Sequence, residues 1–282
     1  MRIEQNEVVT LLQALVAVPS PYFEEEMIMA LVKEWFISNG FNPVVHEYHE
    51  DKVTGYHGKN LIVTLQGNQP GPTICLNGHL DSVQLSSGWT KSPYAGDREG
   101  DRFYGLGALD MKSGCVATMI ALKAFMSQNK DFKGKIISTY VSVEEGPYGM
   151  GTNALIEDGV FEGVDVSIVT EPSAGFTNKP FPVVCLGARG GYGLEIEFFG
   201  KAAHAALPGE GISAVLDAAK VITALEDVTY LVDQNLGTGA ACVVGVESDG
   251  GACSVPDYAK VKLFWHIVVG ENEDTIRDEI KK

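Results

Sequence analysis

Residues 135–145 read KIISTYVSVEE. After Lys135, the eight residues 136–143 are small or apolar on both alternating faces, the pattern of a strand buried between two layers. The run then ends on two adjacent acids, Glu144 and Glu145. Neighbouring side chains on a strand point opposite ways, so two acids at a buried strand's end are hard to justify structurally. Working outward, LIVTL (61–65), TICLNG (73–78) and VDVSIVT (164–170) share the same character and read as interior strands. Between them, 112–128 is nearly all small and apolar and reads as a helix, with a shorter one around 150–158. Upstream, Val9, Leu12 and Val16 recur at helical spacing over 6–18, and Pro19-Ser20-Pro21 stops them. A second helix over 22–39 ends at Asn39-Gly40, and a polar stretch from His46 to Lys59 reads as a loop whose His46, His49 and His57 are solvated. Strands alternating with helices predict an α/β layered fold, a mixed sheet flanked by helices.

The character changes at LGARGG (186–191), a glycine-dense hinge. Beyond it Leu194, Ile196 and Phe198 alternate with Glu195 and Glu197, as on a strand with one wet face. A helix over 211–226, strands near 240–247 and 258–269 and a helix over 272–281 follow. That order predicts an α+β open-faced sandwich lacking its last strand, and a division into residues 1–186 and 187–282.

Composition excludes several classes. The 282 residues are 45% hydrophobic and 21% charged, which suits a globular chain and not a disordered or collagen-like one. Lys plus Arg is 21 against 37 Asp plus Glu, a formal charge of -16. Such a surface repels phosphate backbones and anionic lipid, so neither nucleic acid nor membrane is an expected partner. Five scattered cysteines, with no Cys-x-x-Cys pair, read as reduced thiols, those at 75, 115 and 185 buried. With no signal peptide and no membrane-length run, the expected location is cytoplasmic.

Chemistry concentrates at the strand ends. His79 and Asp81 follow the strand 73–78, where open α/β sheets bind ligands. Asp81 can orient His79, although a His-x-Asp pair alone reads more readily as a turn aspartate beside an incidental histidine. Asp110 stands before the helix 112–128 in GLGALDMKSG (105–114); it occupies the place of a third glycine, so a dinucleotide loop is excluded. Glu171 ends the strand 164–170. Each acid alone reads as a strand-end or helix cap. Together they make a carboxylate-rich cage that a cation stabilises, and His with Asp/Glu suits zinc.

Five segments, GHLD (78–81), GLGALDMKSG (105–114), VEEGPYGMGT (143–152), TEPS (170–173) and GKAAHAALP (200–208), resemble in order and spacing the co-catalytic zinc peptidase/deacylase family. That family includes acetylornithine deacetylase, succinyl-diaminopimelate desuccinylase, aminoacylase and the glutamate carboxypeptidases. The opening LVAVPSPYFEEE (15–26) is similar to its first helix and loop. The resemblance implies a zinc-hydrolase-type catalytic domain with an inserted lid and dimerisation domain. It implies His79, Asp110 and Glu171 on one zinc, with Asp110 bridging to a second that Glu145 also binds, cobalt or manganese being possible substitutes. It further implies Asp81 as the holder of His79, Glu144 as general base, a cis bond at Asp110-Met111, and His204 reaching the substrate of a partner in a homodimer. The implied reaction is hydrolysis of an amide in a small N-acyl amino acid or short peptide. Two departures stand out. Cys253 and Phe264-Trp265-His266 occupy places where many relatives carry an asparagine and an arginine that contact substrate. The family's last zinc histidine, in a returning catalytic segment, has no counterpart before Lys282. The expectation for these residues alone is one tight zinc and little turnover; the alternative reading is a non-catalytic dimerising homologue.

Overall fold

The computed structural model describes residues 4–52, 54–129, 131–146, 149–173, 183–185, 187–248 and 250–282. Pro147 and Tyr148 of the acidic motif and Leu186 of the hinge lie outside them. The chain forms two compact units, Met1–Val183 and Val184–Lys282.

In the first unit, helices α1 (Gln5–Val16) and α2 (Glu26–Ser38) precede strands β1 (Val44–Glu50), β2 (Tyr56–Gln66) and β3 (Gln69–His79). A small hairpin, β4 (Asp97–Glu99) and β5 (Arg102–Tyr104), leads to α3 (Ser113–Gln128), β6 (Lys133–Val141), α4 (Met150–Glu157) and β7 (Val166–Val169). The sheet order is β1-β2-β6-β3-β7. β2 pairs antiparallel with both β1 and β6, whereas β6, β3 and β7 are mutually parallel. Leu15 of α1, Phe36 of α2, Leu61 of β2, Met119 of α3 and Tyr140 of β6 share one core. α3 is built almost wholly of small and apolar residues: Cys115, Val116 and Met119 are buried, while the exposed side carries Ala117 and Ala121.

Four expectations are corrected. Residues 46–50 and 56–59 are strand rather than loop. His46, Tyr48 and Glu50 lie on β1, in register with Asn60, Gly58 and Tyr56 of β2. Its polar side chains find partners: His46 lies 2.7 Å from Asp158 and 3.2 Å from Asn60, and the His49 and His57 rings stack at 3.7 Å. The second helix begins at Glu26 rather than at 22, because Phe23 has a left-handed backbone (φ 75°). Residues 166–169 are not an interior strand: among the described residues β7 is an edge, and Val166, Ile168 and Val169 are half-exposed. Cys75 and Cys115 are buried, but Cys185 is exposed in irregular backbone.

In the second unit, β8 (Gly190–Phe199), α5 (Ala214–Ala224), β9 (Val232–Asp233), β10 (Gly237–Thr238), β11 (Ala240–Ser248), β12 (Tyr258–Ile267) and α6 (Glu273–Ile280) follow in order. β11, β12 and β8 form an antiparallel sheet with β12 central. Ala259, Val261 and Leu263 of β12 alternate inward and meet Ala214 and Ala218 of α5. Small residues on both sides let helix and sheet approach closely. Ser213 starts α5 by accepting the Leu216 N–H at 3.3 Å.

Candidate metal centre

Three parallel strands end side by side. His79, the last residue of β3, is in register with Val141 of β6, and Asn77 with Val169 of β7. Two to four residues past those partners the chain delivers Glu144, Glu145 and Glu171. Asp110 comes from the turn before α3, where the Asp110-Met111 peptide is cis. Two glycines bring that turn in. Gly107 takes a left-handed φ of 71°. At Gly114, a Cβ would sit 2.2 Å from the Thr170 carbonyl oxygen, so only glycine lets α3 begin against the residue preceding Glu171.

His79 is buried. Its Nδ1 lies 3.2 Å from the Asp81 carbonyl oxygen and 3.4 Å from Asp81 Oδ1. Nε2 therefore faces the acids: Asp110 Oδ1 at 3.2 Å, Glu171 Oε1 at 3.5 Å and Glu144 Oε2 at 3.8 Å. Glu145 joins the same group, each of His79, Asp110 and Glu145 offering a ligand atom within 4.8 Å of the others. Asp81 is fully buried and does more than sequence suggested. Its Oδ2 accepts the backbone N–H of both Glu144 and Glu145 at 2.9 Å, so one carboxylate touches the imidazole and the acid loop together.

The electrostatics are those of a site short of positive charge. Burial raises Glu144, and burial together with the Asp110 charge lifts Glu145 to about 7 from its ordinary 4.5. Burial lifts Glu171 to about 8, with Asp110 adding to the effect. Burial also opposes charge on His79, but hydrogen bonds to Asp110 and Asp81 outweigh it and push the imidazole up to about 11. Asp110 is held low, chiefly by its hydrogen bond to His79. Among the described residues no lysine or arginine pairs with these acids, and protons take the place a cation would fill. An aggregate of one imidazole and four carboxylates, with no lysine or arginine among the described residues to neutralise it, fits a divalent metal.

Sequence reading missed Lys112. It is buried, and its Nζ donates to the Leu15 and Val18 carbonyls at 3.2 Å, tying the Asp110 turn to the end of α1. Burial pushes its pKa down to about 8. Nothing local marked it, since a lysine two residues past an aspartate reads as solvated. His204 belongs to the second unit, is exposed, and accepts the Ala206 N–H through Nδ1 at 3.1 Å. A concavity of about 390 Å³ lies at the β2–β3 turn, at the other end of β3 from His79, and carries none of this chemistry.

Comparison with known proteins gives a consistent result. Residues 75–262 match the family described as peptidase family M20/M25/M40. The succinyl-diaminopimelate desuccinylase of Orientia tsutsugamushi (strain Boryong) is 26% identical over 269 residues, covering 93% of this chain and 67% of its own length. The enzyme of that name from Rhizorhabdus wittichii is 32% identical over 217 residues, covering 76% of this chain and 55% of its own length. The chain thus spans about half to two thirds of these relatives. In fold it is similar to human carnosine dipeptidase 1 (TM-score 0.75, 17% identity, covering 98% of this chain and 73% of that one). A family M20 metallo-carboxypeptidase from Sulfolobus solfataricus gives a TM-score of 0.72 at 18% identity, covering 99% of this chain and 75% of that one.

Proposed function

This chain belongs to peptidase family M20/M25/M40, and on that premise we propose that it hydrolyses an amide bond in a small N-acyl amino acid or short peptide. The observation that carries the reading is the cation-poor cluster of His79, Asp110, Glu144, Glu145 and Glu171 at the ends of β3, β6 and β7. His79, Asp110 and Glu171 would hold one divalent metal, and Asp110 with Glu145 a second, zinc being the metal that His and carboxylates suit best. When bound, such ions polarise the scissile carbonyl and acidify the attacking water.

The remaining chemistry falls to side chains. Glu144 is half-exposed, so it reaches substrate and water, and burial raises its basicity above that of an ordinary glutamate. It takes the proton of the attacking water and passes it to the leaving amine nitrogen. Asp81 keeps the His79 Nε2 turned toward the acids and holds the loop that carries Glu144. His204 donates to the developing oxyanion across a homodimer formed through the second unit. The desuccinylase relatives favour N-acyl amino acids as substrates, and the expected location is cytoplasmic. No helix among the described residues is long and apolar enough to cross a membrane.

A panel of N-succinyl and N-acetyl amino acids and dipeptides, run with zinc-loaded full-length protein, tests the proposal. Turnover of one class that requires the metal and disappears in Glu144→Gln is expected. No zinc uptake, or an unchanged rate in Glu144→Gln, overturns it.

A further inference from the structure

Val143, Glu144 and Glu145 present three consecutive backbone N–H groups, and each donates to a buried carboxylate. Asp81 takes the second and third. Glu25 takes the first, its Oε1 accepting the Val143 N–H at 2.9 Å. Glu25 is 2% exposed, whereas Glu24 and Glu26 on either side are in solvent. The same Oε1 accepts the Phe23 N–H at 3.1 Å, and Oε2 accepts the Tyr56 hydroxyl at 2.9 Å.

Phe23 (φ 75°) and Val143 (φ 53°) are the described non-glycine residues with left-handed backbone, and one oxygen holds both. A β-branched residue resists that conformation and keeps it only where its surroundings over-determine it. At Val143 they do: the N–H is held by Glu25, the carbonyl accepts the Met150 N–H at 3.0 Å, and the side chain is fully buried. The turn at Val143 takes the chain out of β6, so that the next two amides meet Asp81 and their acids gather around His79.

A buried carboxylate with no lysine or arginine paired to it among the described residues is a poor stabiliser, and an apolar residue of that size would bury more easily. Burial raises the Glu25 pKa, with the Tyr56 hydrogen bond acting against it. What the carboxylate supplies that an apolar residue lacks is acceptor geometry.

We infer that Glu25 is a positioning residue of the acid loop: its carboxylate holds the left-handed turn at Val143 and so aims Glu144 and Glu145 at His79. The kinetic part of the test rests on the proposed role of Glu144; the other parts rest on geometry. Glu25→Met keeps the length and removes both acceptors. Glu25→Gln keeps an acceptor for the two N–H groups and turns its NH2 toward Tyr56, whose hydroxyl then accepts. Glu25→Asp keeps the charge but withdraws the oxygen from Val143 by one methylene.

In zinc-loaded full-length protein, Glu25→Met is expected to lower kcat about 10–100-fold, with KM within about threefold, because misplacement of a reacting group acts on the chemical step. Zinc affinity should fall about tenfold, as on loss of other outer supports of a metal site. Amide hydrogen exchange over 143–145 should accelerate. Glu25→Asp should share these losses and Glu25→Gln should recover most of them. The inference is overturned if folded Glu25→Met keeps the parent's exchange and zinc affinity. It is equally overturned if Glu25→Asp behaves as the parent while Glu25→Gln is impaired, since charge would then be what matters. If Glu25→Met does not fold, the Asp and Gln variants decide the same point. If Glu144→Gln retains the parent rate, the assignment of the base fails, and exchange and zinc affinity still judge Glu25 by themselves.

Discussion

On the sheet of the second unit, charged side chains stand along the wet face and meet partners. Lys260 lies 2.8 Å from Glu195, and the Tyr258 hydroxyl donates to Glu197 at 2.8 Å. In the first unit, β6 carries no charge from Ile136 to Val141, and β3 none from Gln69 to Gly78. Their acids wait past the carboxyl ends, where several converge on one imidazole. Strands packed on both faces have only their ends to offer a charge, so like charges collect there; a strand with one wet face can spread and pair them. Paired charges describe a stable surface, and concentrated unpaired ones describe a place for a cation and for proton transfer.

If that contrast is right, substitutions at the strand ends should change activity, and those on the wet sheet should not. The largest effect is expected from Glu144→Gln. The amide is nearly isosteric but cannot take a proton, so turnover should fall about 10²–10⁴-fold while zinc content stays at the parent level. Measuring both in one preparation checks it, and loss of zinc would mean that Glu144 is a ligand rather than a base.

Next come the metal residues. Asp110→Ala, which removes the acid nearest the imidazole, should lose more zinc than Glu171→Ala. Asp81→Asn, which keeps an acceptor but disturbs the hold on His79, should weaken zinc about 10–100-fold. Competition titration with a chelator ranks the three. Equal affinities would undo the placing of Asp110 at the centre of the cluster.

A smaller effect is expected on stability against pH. Glu145 and Glu171 have folded-state pKa values raised from 4.5 to about 7 and about 8. The folded state therefore binds more protons than the unfolded one in that window, and stability should fall as pH rises from about 4.5 to about 8. His79, raised from 6.5 to about 11, extends the same slope upward. Asp110, held low, acts with opposite sign below its ordinary 3.8. Thermal melts of chelator-treated protein should show this decline, and zinc should flatten it by taking the place of the protons. A metal-free protein that grows more stable between pH 5 and 8 contradicts the cation-poor description.

The smallest effect belongs to the second unit. Lys260→Met keeps an aliphatic stem in place, removes only the ammonium that pairs with the exposed Glu195, and should barely move the melting temperature, the more so at high salt. A large loss there would mean that the two sheets are less different than their charges indicate.

Sequence patterning carried the fold a long way, and its failures are physical. The helix at Ser113–Gln128 and the strand at Lys133–Val141 were legible because the core they enter demands long runs of small and apolar residues, such as Ile136–Val141 of the strand. β1 was not, since His46 and Tyr48 look like solvent-facing residues until Asp158, Asn60 and Ser142 are brought to them from far along the chain. The acids of the site were legible as oddities at strand ends. Glu25 and Lys112 were not: a glutamate among glutamates and a lysine two residues past an aspartate carry no mark of burial.

What the sequence determined by itself, then, is where apolar runs must be covered and which charged residues are left at their ends, because side-chain hydration is a local property. Only the tertiary structure decided which of those residues meet. It placed three strand ends side by side, turned Asp81 toward the loop of Glu144 and Glu145, and set Glu25 under Val143 across 118 residues of chain. Hydrogen bonds of that kind depend on distances of a few tenths of an ångström between segments far apart in sequence, and those distances are fixed by packing.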